Sequence, residues 1–238
     1  MNLKKLFTKK GILFLISFIL LTYIGIHINF SGILGAENQF FTFFQFLGPI
    51  AGGFLGAGLG VIAVLGSQLL NFFLVGKEFE IVNLIRLTPM LFAAYYFAKN
   101  KERMLNDKIG ILIPFIAAAL FLLHPVGAEV WYLTLFFMVP VVIKFLPDRL
   151  FLRSLGATFT AYTIGTSLWI WTVPMTAEVW MALIPIVIFE RTIFALGISG
   201  TYIALNTILS KVESLNITNL KALTIEDNYV LGKMKLLS

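Results

Sequence analysis

Apolar runs fill most of this chain and leave little room between them. Taken in order they cover 11–30, 40–58, 59–75, 81–98, 109–123, 130–147, 154–172 and 179–209, with short polar or turn-rich breaks between most of them. A helix that crosses a bilayer needs roughly 20 apolar residues, with a range of about 17 to 25. Most of these runs fit that length. The third and fifth are short, and the last is too long for one perpendicular helix. Only 13% of the residues are charged and 59% are hydrophobic, against about a quarter charged in an average soluble domain. No water-soluble fold hides that much apolar surface, so the pattern predicts an all-α, polytopic transmembrane helix bundle of about six to eight spans over residues 1–210. A polar tail, 211–238, follows.

The positions of the charges predict the orientation. Lys and Arg collect on the cytoplasmic side of membrane proteins. With the N-terminus inside and eight crossings, the inner segments hold Lys4, Lys5, Lys9, Lys10, Lys99, Lys101, Arg103, Lys108, Lys144, Arg149, Arg153, Lys211, Lys221, Lys233 and Lys235. That is fifteen of the eighteen basic residues. Lys77 alone falls outside, while Arg86 and Arg191 lie within apolar segments. Fusing 40–75 into one span would put the basic stretch "KNKERMLNDK" outside, so the pattern asks for a break within 40–75, as two crossings or a re-entrant pair. Both termini are then cytoplasmic, and the expected localisation is the cell membrane. The first run, behind four lysines, reads as an uncleaved span because it is longer than a signal-peptide core. The net charge of +6 is accordingly an orientation signal and a surface for anionic lipid headgroups. No nucleic-acid-binding motif accompanies it.

The opposite end has its own composition. Glu37, Glu78, Glu80, Glu129 and Glu178 fall there, with all four tryptophans: Trp131, Trp169, Trp171 and Trp180. Indole rings favour the headgroup region. The same cluster also suits an aromatic-lined pocket open to the outside.

The stretch "GPIAGGFLGAGLG", 48–60, carries six glycines. A dinucleotide fingerprint needs a strand, a tight turn and a helix within a βαβ unit. This stretch instead follows the aromatic run "FFTFFQFL" and continues into "VIAVLGSQLLNFF", and no GK[ST] occurs. No nucleotide, metal or other cofactor is expected: the chain has no cysteine, and its two histidines, His27 and His124, lie far apart. Read as helix, Gly48, Gly52, Gly56 and Gly60 recur every four residues. Such a small-residue face lets two backbones approach closely in lipid.

Ionisable groups at membrane depth are costly and face a bundle interior. Arg86, Glu190 and Arg191 qualify. Glu190 and Arg191 are neighbours whose side chains diverge by about 100°, so they are not expected to pair with each other; one of them is expected to meet a partner on another helix, with Arg86 and Glu190 the candidate pair. Gln68 and Asn71 share a helix face as interhelical glue or as site residues. His124 and Glu129 stand at an outer helix end.

The segment "GPIAGGFLGAGLG", of the form P-x-x-G-x-x-x-G after the first outer loop, resembles the substrate-binding membrane components of energy-coupling factor transporters. So does "IRLTPMLFAAYYFAKNK", a helix that ends in a basic cytoplasmic loop. The resemblance implies high-affinity binding of a vitamin-like small molecule from outside. It implies no ATPase in this chain and no enzymatic activity; a transmembrane coupling subunit and ATPase subunits would drive tilting of the whole bundle. It also implies that 31–39 and 76–80 act as lids, that Trp131, Trp169, Trp171 and Trp180 stack the ligand, and that Asn71, Arg86, His124 and Glu129 meet its polar edges. Two other classes remain open: an intramembrane enzyme acting on lipid or prenyl substrates, and a non-catalytic sensor or assembly protein.

Overall fold

The computed structural model describes residues 9–32, 40–99, 107–215 and 223–233, with side chains from residue 12 onward. The lysines before residue 9, the stretch 33–39 with Glu37, the linker 100–106, the stretch 216–222 and residues 234–238 with Lys235 lie outside the described residues. Every predicted apolar run is helical over most of its length. Helix α1 spans Lys9–Ile26, α2 Phe44–Leu55, α3 Ala57–Leu74, α4 Ile81–Ile85 and α5 Thr88–Lys99. Then come α6 (Lys108–Leu122), α7 (Pro125–Glu129), a 3₁₀ turn (Trp131–Leu133), α8 (Thr134–Phe137) and α9 (Val139–Ile143). Two long helices, α10 (Leu150–Thr172) and α11 (Ala177–Ser214), close the bundle. In lipid each backbone N–H and C=O must be satisfied within its own segment, which is why apolar runs of this length fold as helices.

Among the described residues, three helical stretches are long and apolar enough to cross a membrane by length and composition: α3, α4–α5 taken together, and α11. Others are shorter. At 1.5 Å per residue α2 rises only about 18 Å, and α11 extends about 57 Å, well past a hydrocarbon core of about 30 Å. Helix α10 is long but carries Ser, Thr, Gly and Ala at its packed positions. It sits at the centre of the bundle against α5, α6 and α11, so its surroundings are helices rather than lipid. The outward faces are greasy: Leu13, Leu20, Phe115, Phe189, Leu196 and Ile208 are all exposed. Exposed apolar belts of this extent mark a surface that meets lipid or protein instead of water.

The glycine segment packs as tightly as its spacing predicts, but it is not one helix face. Gly56 breaks it, with φ 79° and ψ 170°, a conformation open essentially to glycine alone. The chain turns back there, so Gly52 of α2 and Gly60 of α3 meet backbone to backbone across the hinge. Gly52 also lies against the Ala94 carbonyl of α5, and Gly48 against the Met90 side chain. The predicted break inside 40–75 is therefore this hinge, and the stripe serves three helices instead of two.

The two ends of the bundle differ. At the lysine-rich end, Lys144 pairs with Asp107 at 2.5 Å, both side chains closed off from solvent. Asp107 also caps α6 by accepting from the Gly110 N–H at 3.0 Å, and it accepts from the Tyr95 hydroxyl at 2.9 Å. Burial pushes its carboxyl up, but Lys144, Gly110 and Tyr95 together outweigh that and hold it below the ordinary carboxylate range. A depressed carboxylate contributes stability above its unfolded pKa, so this cluster holds at neutral pH and weakens only in acid. Residues 223–233 fold back onto the same end. The Thr224 N–H donates to the Phe54 carbonyl, and Glu226 pairs with buried Arg153 at 2.9 Å.

Candidate functional site

At the other end the helices separate and enclose a cavity of about 880 Å³. Its walls are the start of α2, the end of α3, α4, the start of α5, the second half of α10 and the first half of α11. Successive helices run alternately, so their tryptophan-side ends converge here. Asn71, Arg86, Trp169, Trp171, Trp180, Glu190 and Arg191 all line the cavity. His124, Glu129 and Trp131 do not. Glu129 and Trp131 are exposed, at the end of α7 and in the 3₁₀ turn after it, with Trp131 set edge-on against Tyr132. His124 meets Trp171 edge-on, ring centres 5.0 Å apart, and so touches the site only through its rim. Trp171 is itself held by its indole N–H donating to the Leu120 carbonyl at 3.1 Å.

The strongest charge in the cavity is buried. Arg191 is 4% exposed, and its guanidinium lies among the rings of Phe194, Phe41 and Tyr162 at 4.5, 5.1 and 5.7 Å. Its Nη2 pairs with Glu190 at 3.3 Å, and Nη1 reaches the Thr158 hydroxyl at 3.4 Å. This corrects the expectation that neighbouring Glu190 and Arg191 would not pair. Both side chains are long enough to curl towards one cavity although their Cβ atoms diverge. Arg86 makes no pair with Glu190; it lies over the Trp169 ring at 5.6 Å, where a cation is attracted by the indole quadrupole.

Three polar atoms in this wall are buried with no partner: Arg191 Nε, Trp180 Nε1 and Asn71 Oδ1. Buried polar atoms are normally satisfied, and leaving one unpaired costs about 1–3 kcal/mol. Gln68 differs from its face-mate Asn71. Its amide donates to the Leu87 carbonyl at 3.0 Å and ties α3 to the turn between α4 and α5, so of the pair Gln68 is the glue.

A two-stranded ribbon borders the cavity. Strand β1, Asn29–Gly32, pairs antiparallel with β2, Phe40–Thr42, in the register Ser31 to Phe41 and Gly32 to Phe40. It brings Phe41 onto Arg191 and Phe30 onto Phe46 and Phe194. Sequence reading places a lid at 31–39 without foreseeing the ribbon, and its centre lies outside the described residues. Phe40, Phe41, Tyr162 and Thr166 also line the cavity and went unnoticed, since aromatic and hydroxyl residues inside apolar runs look like ordinary packing. Among the described residues no three His, Asp or Glu side chains cluster to hold a metal ion. Comparison with known protein families, curated proteins and solved structures finds no match to this chain.

Proposed function

We propose that this chain is the membrane-embedded small-molecule binding component of a transporter, without an ATPase of its own, and that the cavity holds its ligand. One observation carries the reading: an 880 Å³ cavity that gathers Arg86, Arg191, Asn71, Trp169 and Trp180 into an otherwise largely apolar wall. Ligand pockets run about 300–1,000 Å³, mostly apolar with a few placed polar groups, and this cavity has that size and that make-up. The bundle crosses the membrane with its lysine-rich end in the cytoplasm, so the cavity opens outward. The resemblance to energy-coupling factor substrate-binding components supplies the partners, a coupling subunit and ATPase subunits acting on the inner side.

The orientation has a clean test, because the chain has no cysteine and any introduced thiol reports alone. A Lys77→Cys variant is expected to react with an impermeant maleimide on intact cells, and Lys211→Cys only after permeabilisation. The reverse pattern would place the cavity inside and remove the basis for uptake.

The ligand is tested by extraction. The full chain, purified in mild detergent, is expected to release a small molecule on denaturation that mass spectrometry detects. A Gly165→Leu variant should lose it about tenfold or more. Gly165 lines the cavity, and a Cβ there meets only Pro89 Cγ at 3.8 Å, so the larger side chain fills ligand space while the fold is kept. Equal recovery from both proteins would refute the assignment of the cavity.

A further inference from the structure

The cavity's charges are unbalanced, and that narrows what it takes. Its charged lining among the described residues is Lys77, Arg86, Arg191 and Glu190. Glu190 is engaged with Arg191, which leaves Lys77 and Arg86 without a carboxylate in the wall. Arg86 is exposed, lines the cavity and has its guanidinium carbon 5.6 Å from the centre of the Trp169 ring, which sets a positive charge beside an indole. Eleven residues separate Trp180 from Arg191 on α11, about 16 Å along a helix. Both residues line the cavity. The site is therefore long, cationic towards the residues nearest the helix ends and aromatic along its length.

We propose that the ligand is an elongated organic anion with a planar aromatic body. Its anionic group meets Arg86 and Lys77, and its ring stacks among Trp169 and the other aromatic side chains of the wall. The physical case is additive in kind: fields of one sign in a low-dielectric cleft concentrate counter-charges, charge-assisted hydrogen bonds are the stronger ones, and indole faces favour flat partners in offset stacks. This rests on the cavity being a ligand site, as proposed above.

The test uses the full chain in phosphatidylcholine nanodiscs and three probes: 2-naphthoate, the uncharged 2-naphthalenemethanol, and decanoate, an anion with no ring. Binding is read by tryptophan fluorescence and thermal shift. Naphthoate is expected to bind at least tenfold more tightly than either of the others, with an affinity that falls as salt rises. Arg86→Gln, an exposed position that leaves the fold intact, is expected to bring naphthoate down to the level of the alcohol. Equal binding of alcohol and acid would overturn the anionic class while leaving the cavity a ligand site. Tighter binding of decanoate would overturn the aromatic body and point to a lipid-like tail. If no probe binds and no small molecule is extracted from the wild-type chain, the ligand-site reading falls with the proposal.

Discussion

A Gly52→Ala substitution is expected to lower stability by about 3 kcal/mol or more, at or beyond the upper end of over-packing costs. A Cβ at residue 52 would land on the Ala94 carbonyl oxygen of α5, and the Ala98 side chain lies 3.2 Å from it. A backbone carbonyl cannot swing aside as a flexible side chain does, so α2 and α5 must separate. Because α3 packs on the opposite side through Gly60, that movement disturbs three helices at once. Gly58→Ala is the matched control. Gly58 lies in the first turn of α3, and a Cβ there meets nothing within 4 Å. With no new contact, the change should be neutral or gain up to about 1 kcal/mol of helix propensity. The measurement is the unfolding midpoint in a dodecyl-sulfate titration from mixed micelles. Coincident midpoints for the two variants would mean that the helices do not approach this closely in a lipid-like medium.

This pair of glycines also shows what the sequence makes legible. Spacing alone predicts close helix approach at Gly48, Gly52 and Gly60, and the structure has it. Spacing cannot say which glycine takes a positive φ, so the hinge at Gly56 is invisible and the stripe reads as one straight face. The apolar runs foretell the helices within a few residues at most ends, because in lipid apolar length and helix are nearly the same property. They are least faithful at two of the prolines, whereas Pro49, Pro114 and Pro185 lie inside unbroken helices. The run 81–98 divides at Arg86–Leu87 ahead of Pro89, and 130–147 breaks into short pieces around Pro140. Proline lacks the N–H and disfavours helical geometry in the residue before it. The site is legible through its rare groups. Arg86, Glu190, Arg191, Asn71 and three of four tryptophans converge on one cavity. Its aromatic wall is not, since Phe41 and Tyr162 resemble every other apolar-run residue. Least visible is the lysine-rich end, where polar residues far apart in sequence, read as a solvated tail and a loop, are buried together.

That lysine-rich end supports the second large effect. Arg153 is 1% exposed. Its Nε and Nη2 donate to Asp148 at 2.9–3.2 Å, and its Nη1 donates to Glu226 at 2.9 Å. Phe97 and Tyr229 lie against its guanidinium at 5.3 and 5.8 Å. The Tyr202 hydroxyl donates to the same Glu226 oxygen at 2.7 Å, and the Asn206 amide brackets the Glu226 backbone, accepting from its N–H at 3.0 Å and donating to its carbonyl. Removing one partner of a buried pair costs about 3–5 kcal/mol, because a charge is left in low dielectric without compensation. Asp148 remains beside Arg153, so Glu226→Ala is expected at the lower end, about 3 kcal/mol, with residues 223–233 becoming open to protease. The cause is the stranded charge more than the lost contact, and a double-mutant cycle separates the two. In an Arg153→Met background, where no cation needs an acceptor, Glu226→Ala should cost less than about 1 kcal/mol, since apolar replacement of a buried ion pair is often near neutral. If the substitution costs the same in both backgrounds, the tail is held by its backbone clamps to Asn206 and Phe54, and the ion pair adds nothing to its docking.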